Sequence, residues 1–367
     1  MTMLEHDQQY MRQCITLARN GAGSVSPNPM VGAVLVNDGN IIGKGYHQRF
    51  GEAHAEVNAI NNATESVRGA TLYVNLEPCC YTGKTPPCTE LIISSGIRRV
   101  VIGMKDPNPR VSGKGMKKLQ QAGIEVTVGV LEDEAKLLNE AFTKYVRTKT
   151  PFVALKIAQT LDGKVADNNG KSQWITEKEA RRYVHQLRSE YDAVVVGATT
   201  IKEDNPALTV RDVVGRNPVR VIIDGNFSVP EDAKVFNDSA ASTLLFISGK
   251  RSRKQIEKKL KLEKKKIEII EMPDPVPGYM SLEAILHELG ERGIASVLVE
   301  GGATLFSYFL EQKQADKLYV FIAPKILGQG LDVFAQMSSK LLGSDEIKVK
   351  DISFRQLQND LLIEGYL

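Results

Sequence analysis

One imidazole and two thiols, well separated in the chain, make the strongest demand on how this sequence folds. His54 stands in His54-Ala55-Glu56, Cys79 follows in Pro78-Cys79, and Cys88 comes after eight further residues. A borderline-soft cation such as zinc takes one such nitrogen and two such sulfurs, with a fourth position open for water. Three segments must then end at one point. Three protein ligands and an open position mark catalysis, whereas four mark a structural site. Zinc lowers the pKa of its water toward neutrality, and Glu56, not needed as a ligand, can move the proton. The competing arrangement is a structural knot closed by His54, Cys79, Cys80 and Cys88. Adjacent cysteines rarely reach one ion without strain, and Glu56 would then have no task.

The surrounding pattern supplies a layered frame. Residues 8–19 place Met11, Cys14, Ile15 and Ala18 on one helical face. Strands are expected at 30–36 and 41–46 around an Asp38-Gly39 turn, and at 71–76, 99–103 and 124–129. Helices are expected at 54–63, 89–95, 115–122 and 132–146, so His54 and Cys88 open or adjoin helix N-termini, where anionic ligands are favoured. His-x-Glu with Pro-Cys and a later Cys is the signature of zinc nucleobase deaminases.

Arg147-Thr-Lys-Thr-Pro151 is short, polar and closed by proline, which puts a domain boundary there, with domains at 1–147 and 148–367. The second half alternates again, with strands at 152–157, 193–196, 220–223, 243–247, 267–270, 297–299 and 317–322 and helices near 176–190, 281–291 and 303–311. Its clearest local feature is Val299-Glu300-Gly301-Gly302-Ala303-Thr304-Leu305, a strand running through two glycines into a helix. Free backbone N–H groups and a helix N-terminus there can cradle a phosphate. It is not Gly-x-Gly-x-x-Gly, which disfavours a Rossmann unit. Lys250 to Lys266 holds ten Lys/Arg in seventeen residues and reads as an amphipathic helix with a solvated basic face.

Composition narrows the class. With 42% apolar and 25% charged residues, disorder, collagen and a disulfide scaffold are excluded. A net charge of +3 is too mild to argue for nucleic acid or membrane as partner. No apolar run approaches the roughly 18 residues of a membrane span, and no secretory signal is visible. A cytoplasmic, reducing compartment is expected, where clustered thiols hold metal.

Further motifs stand in order: Pro27-Asn28-Pro29-x-Val31-Gly32, Gly45-Tyr46-His47, Leu76-Glu77-Pro78-Cys79, Gly83-Lys84-Thr85-Pro86-Pro87-Cys88, Asp106-Pro107-Asn108-Pro109 and Gly113-x-Gly115. With the ligand motif they closely resemble the bifunctional riboflavin biosynthesis (RibD) family, a diaminohydroxyphosphoribosylaminopyrimidine deaminase fused to a 5-amino-6-(5-phosphoribosylamino)uracil reductase. The resemblance implies an α/β chain with an N-terminal cytidine deaminase-like three-layer domain. In it His54, Cys79 and Cys88 would bind zinc and Glu56 would shuttle the proton. Asn28, His47, Lys84, Asp106 and Asn108 would hold the pyrimidine ribosyl phosphate. Lys84 by itself reads as a solvated surface lysine. One departure is Cys80-Tyr81, where family members commonly have Ser-His.

The second half carries Leu155-Lys156-x-Ala158-x-x-Leu161-Asp162-Gly163, Ser172-x-Trp174-Ile175-Thr176 and Asp204-x-Pro206-x-Leu208-Thr209-x-Arg211, all similar to the family's reductase segments. A dihydrofolate reductase-like C-terminal domain using NADPH is implied. Ala158, Trp174, Thr200, Asp204, Gly302, Ala303, Thr304 and Leu305 would line the cofactor. Ser172, Arg188, Leu208, Arg211 and Glu300 would contact the substrate, with Arg188 and Arg211 suited to its phosphate through the guanidinium fork. Lys156, Asp204 and Glu300 are alternative proton donors for reduction at C1′. Trp174 by itself reads as a core aromatic. A small-molecule substrate, no nucleic acid or membrane, and a homo-oligomer (dimer or tetramer) complete the expectation.

Overall fold

The computed structural model describes residues 2–83, 86–170, 172–249, 252–273, 280–334, 337 and 346–367. The chain forms two compact units, Met1–Lys149 and Thr150–Leu367.

The first unit is built on strands β1 (Gly32–Asn37), β2 (Asn40–Tyr46), β3 (Thr71–Leu76), β4 (Arg99–Met104) and β5 (Glu125–Val128), in the order β2-β1-β3-β4-β5. β1 runs antiparallel to β2 and β3, whereas β3, β4 and β5 are parallel. The helices are α1 (Met3–Ala18), α2 (Ala55–Asn61), α3 (Cys88–Ser94), α4 (Lys114–Gln121), α5 (Glu132–Leu138) and α6 (Glu140–Thr148). Alternate strand residues enter two cores, as period-2 side chains must. Leu35, Leu72, Val74 and Ile102 pack with Ala55, Ala59, Ile92 and Leu119. Val34, Val36, Tyr73 and Val101 pack with Met11, Cys14 and Ile15. Three layers result.

Glycine sets the separation of α2 from the sheet. A Cβ at Gly45 would sit 2.3 Å from the Ala59 nitrogen and 2.6 Å from the Ala55 oxygen. That contact fixes the height of α2, and with it His54 and Glu56.

The second unit contains β6 (Phe152–Thr160), β7 (Lys164–Ala166), β8 (Ala193–Gly197), β9 (Val219–Ile223), β10 (Thr243–Ser248), β11 (Glu268–Met272), β12 (Ser296–Val299), β13 (Lys317–Ala323), β14 (Leu331–Asp332), β15 (Lys350–Leu357) and β16 (Asp360–Tyr366). Nine of them form one sheet in the order β11-β10-β9-β8-β12-β6-β13-β16-β15, while β7 and β14 pair separately. Strands β11 to β13 of that order are parallel and the last two join antiparallel. The helices are α7 (Lys178–Glu190), α8 (Ala198–Asp204), α9 (Arg253–Lys264), α10 (Leu282–Glu291) and α11 (Ala303–Glu311). Val195, Val221 and Phe246 meet α10 and α11, and their neighbours Val194, Val196, Ile222 and Leu245 meet Ile201 and Leu262.

Several elements differ from expectation. The helix expected at 132–146 is broken at Asn139, which has φ −110° and ψ 27°. The buried Asn139 amide accepts the Met30 N–H at 2.8 Å and donates to the Met30 carbonyl at 3.0 Å, and this tertiary pairing overrides helix continuation. Helix α1 starts at Met3, earlier than expected, because Thr2 and Glu5 form a capping box. α8, β7, β14 and the β15–β16 hairpin were not expected. In the basic stretch, Lys259 and Lys261 pair with Glu271 and Glu231, in keeping with a solvated face. Among the described residues no helix is long and apolar enough to cross a membrane.

Gly45→Ala should cost the first unit about 1–3 kcal/mol through overpacking against α2. A urea titration followed by a probe within that unit should show the lowered midpoint.

Candidate active sites

His54 precedes α2 in extended backbone and Glu56 lies in the first turn of that helix. Cys79 follows β3, and Cys88 is the first residue of α3. His54 Nδ1 lies 3.2 Å from Cys88 Sγ and 3.6 Å from Cys79 Sγ. Tetrahedral ligands at zinc's usual bond lengths are about 3.5–3.8 Å apart, so the residues fit the ion. The three ligand atoms all fall within 4.8 Å of one another, and Cys80 is not part of that cluster. Among the described residues the arrangement therefore has three ligands rather than the closed set of four.

Hydrogen bonding from Cys88, opposed by burial and helped by His54, pushes the Cys79 thiol down to about 4. The same contact, with burial and Glu56, drives Cys88 strongly up. A divalent cation at this point would take the place of the thiol protons. Burial also raises the Glu56 carboxyl, moving it toward the range in which a group can both take and return a proton near neutrality.

These groups open on a cavity of about 330 Å³. Asn28, His47, Asp106 and Asn108 line it, with Tyr81 of the Cys80-Tyr81 pair, and so do Phe50 and Tyr145, which the sequence reading did not single out. His47 Nδ1 is 3.1 Å from the Ala53 carbonyl, and its Nε2 is 3.2 Å from the Asn28 amide nitrogen. The carbonyl can only accept, so this network assigns the proton to Nδ1 and leaves Nε2 to accept from Asn28. Burial pushes the imidazolium down, which favours the neutral ring. Asp106 accepts the Asn108 N–H at 2.8 Å. Lys84 lies outside the described residues.

In the second unit a cavity of about 1180 Å³ is lined by Lys156, Ala158, Ser172, Trp174, Arg188, Thr200, Asp204, Leu208, Arg211 and Glu300. Gly302, Ala303, Thr304 and Leu305 border it as well. Gly302 is the N-cap of α11 and Gly197 that of α8, so two helix N-termini meet the same space. A Cβ on either glycine would meet nothing within 4 Å, leaving room for a ligand against backbone N–H groups, as a dinucleotide phosphate needs. Gly197 was not anticipated, although Val196-Gly197-Ala198 repeats the strand-glycine-helix pattern seen at Gly302. Asp224, Asn226 and Ser228 also line the cavity. Their signal was a strand ending in the turn residues Asp224-Gly225-Asn226.

Arg188 departs from its expected role, and Trp174 and Leu208 differ from what their residue types alone suggest. Arg188 does not offer its fork to a phosphate: Nε and Nη2 donate to the two Glu300 carboxylate oxygens at 2.5 and 2.9 Å, and Nη1 donates to the Thr209 carbonyl at 3.1 Å. The fork is taken because a buried Glu300 requires a partner. Burial opposes the Glu300 charge, but Arg188, aided by Lys156 and His185, prevails and holds the carboxyl below its ordinary value. Trp174 is not a core residue; it is 63% exposed, with the Arg181 guanidinium 4.7 Å above its ring. The Leu208 side chain is packed in the core, and its backbone is left-handed at φ 54°. Ser172 donates to Asp204 at 2.9 Å; the Arg211 N–H donates to His185 Nδ1 at 3.2 Å, and its guanidinium makes a long contact, 3.5 Å, to Thr209 Oγ1.

Comparison with known proteins agrees with this division. Residues 4–104 match the cytidine and deoxycytidylate deaminase zinc-binding region, and residues 151–363 match the RibD C-terminal domain. Riboflavin biosynthesis protein RibD of Aquifex aeolicus is 45% identical over 98% of both chains. The protein of that name from Escherichia coli is 39% identical over 94% of this chain and 96% of its own. Among solved structures, a diaminohydroxyphosphoribosylaminopyrimidine deaminase/5-amino-6-(5-phosphoribosylamino)uracil reductase from Thermotoga maritima superposes with a TM-score of 0.87 at 45% identity, covering 100% of this chain and 99% of that one. Acinetobacter baumannii RibD gives 0.87 at 35% identity, with 99% of each chain covered.

Metal analysis of the purified chain should find one zinc per chain. Cys79→Ser and Cys88→Ser should each lose most of it, whereas Cys80→Ser should retain it.

Proposed function

Because the chain belongs to the RibD family of riboflavin biosynthesis proteins, we propose that it performs two consecutive reactions on one nucleotide, each in one unit. It is a bifunctional deaminase and reductase with zinc and NADPH as cofactors. The substrate of the first step is 2,5-diamino-6-(5-phosphoribosylamino)pyrimidin-4(3H)-one, and the product of the second is 5-amino-6-(5-phosphoribitylamino)uracil. The observation that carries the reading is Glu56, buried beside three converging metal ligands at the wall of a nucleotide-sized cavity.

His54, Cys79 and Cys88 would hold zinc, which would supply the Lewis acidity that makes water nucleophilic at neutral pH. Glu56 would take a proton from the attacking water and give it to the ring nitrogen, then carry the proton of the added hydroxyl to the departing amine, so that water enters and ammonia leaves. Asn28, His47, Asp106 and Asn108 hold the pyrimidine and ribose, and Lys84 completes the phosphate contact as a point charge.

In the second unit the glycine-capped helices would hold the NADPH phosphates, and Trp174, Ala158, Thr200 and Asp204 would flank the cofactor. Reduction adds a hydride and a proton to the opened ribosyl group at C1′. Glu300 is held charged by Arg188, and Asp204 is occupied by Ser172, so neither is a ready proton donor. Burial pushes the Lys156 ammonium down, which makes it the proton source. Ser172 and the Leu208 backbone face the substrate, and Arg211 binds its phosphate. Arg188 and Glu300 shape the wall as a pair.

Action in the cytoplasm as a homo-oligomer completes the proposal. Ile352 and Phe354, 59% and 79% exposed on the outermost strand β15, support association with a second copy.

The test is a paired assay on one sample with the diaminopyrimidinone ribosyl phosphate. Ammonia should appear without cofactor, and NADPH should be consumed only afterwards. Glu56→Gln should lower ammonia release by about 10²–10⁴-fold while zinc and turnover of the deaminated nucleotide persist. Zinc without ammonia in the unaltered chain would overturn the deaminase assignment.

A pH dependence follows from Asp106, whose carboxyl burial pushes up to about 6. Above that pH it is a carboxylate that accepts from the ring's amino and N–H donors; below it the acceptor is lost. The deamination KM should therefore rise as pH falls through about 6. Asp106→Asn should have a high KM that lacks this step.

A further inference from the structure

We propose that Glu77 is a positioning residue of the deaminase site: its carboxylate clamps both ends of the 106–116 segment and so places Asp106 and Asn108 at the cavity wall. The proposal rests on the deaminase reading above.

Glu77 is buried directly after β3, where its own N–H donates to the Met104 carbonyl at 3.0 Å and holds the end of β3 to the end of β4. Its side chain accepts four main-chain N–H bonds. Oε2 takes the Asp106 N–H at 3.2 Å and the Gly113 N–H at 2.9 Å. Oε1 takes the Gly115 N–H at 3.0 Å and the Met116 N–H at 3.2 Å. Gly115 and Met116 belong to the first turn of α4, whose N–H groups have no partner within the helix. One carboxylate thus caps α4 and anchors the segment that leads into it.

That segment bonds within itself only over short range. Pro107 and Pro109 have no N–H to donate, and its internal bonds are local: Asn108 N–H to Asp106, Arg110 N–H to the Asn108 side chain, Val111 and Ser112 N–H to the Asn108 carbonyl, Lys114 N–H to the Val111 carbonyl and Lys114 Nζ to the Pro109 carbonyl. Geometry must be imposed from outside, at its two ends. Close approach is built in as well: a Cβ at Gly115 would lie 2.2 Å from the Pro78 carbonyl, so glycine is required for the helix start to reach Glu77. Pro78 and the metal ligand Cys79 follow at once in the chain. The same strand end therefore fixes a ligand and, through Glu77, the residues that hold the ring over it.

An acceptor surrounded by four donors has no tolerance for an N–H₂ group. Glu77→Gln in the full-length, zinc-loaded chain puts a donor against two N–H groups with almost no change in volume. Zinc content and NADPH-dependent turnover of the deaminated nucleotide should stay at the unaltered level. The deamination KM should rise on the order of tenfold to a hundredfold, with kcat within about threefold, because binding geometry rather than proton transfer is disturbed. Glu77→Asp keeps the acceptors but is one methylene short, and its KM should fall between the two. The amides of residues 106, 113, 115 and 116 should exchange with deuterium at least about tenfold faster in Glu77→Gln, while those of β3 keep their protection.

An unchanged KM, or loss of zinc and of both activities together, would overturn the positioning role. The exchange measurement needs no turnover. Unchanged exchange at the four amides would remove the clamp even in a chain that released no ammonia, so failure of this inference and failure of the deaminase reading are told apart.

Discussion

Strands that run parallel finish along one edge of their sheet, and in both units that edge is where the reactive side chains collect. In the first unit β3 ends at Leu76 and β4 at Met104; Glu77, Cys79, Asp106 and Asn108 come directly after them. In the second, β8 ends at Gly197, β9 at Ile223 and β12 at Val299, leading to the α8 N-terminus, Asp224 and the Glu300-Gly301-Gly302 turn. Residues remote in sequence meet because parallel pairing lines up strand ends. The helices that follow then present N-termini to the same space. Neither site could be assembled from one continuous segment.

Charge inside the units divides into two kinds. Asp7 receives both Arg99 Nη groups, at 2.9 and 2.7 Å, and the Tyr73 hydroxyl at 2.8 Å, tying α1 to the start of β4. Arg188 and Glu300 do the same between α7 and the end of β12. Paired in this way, a buried charge is fixed, and removing one partner strands the other at a cost of about 3–5 kcal/mol. Glu56 and Lys156 are different. Neither makes an ion pair among the described residues, and burial moves each toward its neutral form. The two ion pairs tie elements of the frame together, and Glu56 and Lys156 lack that constraint.

What could be read from the sequence follows from the range of the interactions involved. The metal-ligand set was legible, though its segments lie far apart, because His54-Ala55-Glu56, Pro78-Cys79 and Cys88 are chemically distinctive short motifs. The main strands were legible through alternation and apolar runs. The break at Asn139 was not, since its cause is Met30, on a distant segment that no helical pattern mentions. Arg188 looked like a phosphate ligand for the same reason: its partner Glu300 lies 112 residues on, and only the fold brings them together. β15 escaped notice because almost every residue in it is exposed, so it has no buried face to impose a two-residue period.

The Cys80-Tyr81 pair can be placed by the same physical reasoning. Cys80 follows a metal ligand, yet its sulfur is outside the converging group, and burial raises its thiol rather than readying it for a cation. Tyr81 lines the first cavity at 41% exposure, on the side shared with Asp106. A phenol there can give or accept a hydrogen bond and lay an apolar ring along the entrance, but it carries no positive charge. The departure from Ser-His therefore alters the rim of the site and leaves the metal set alone. Asp106 and Asn108 still line the cavity from the segment whose N–H groups Glu77 accepts.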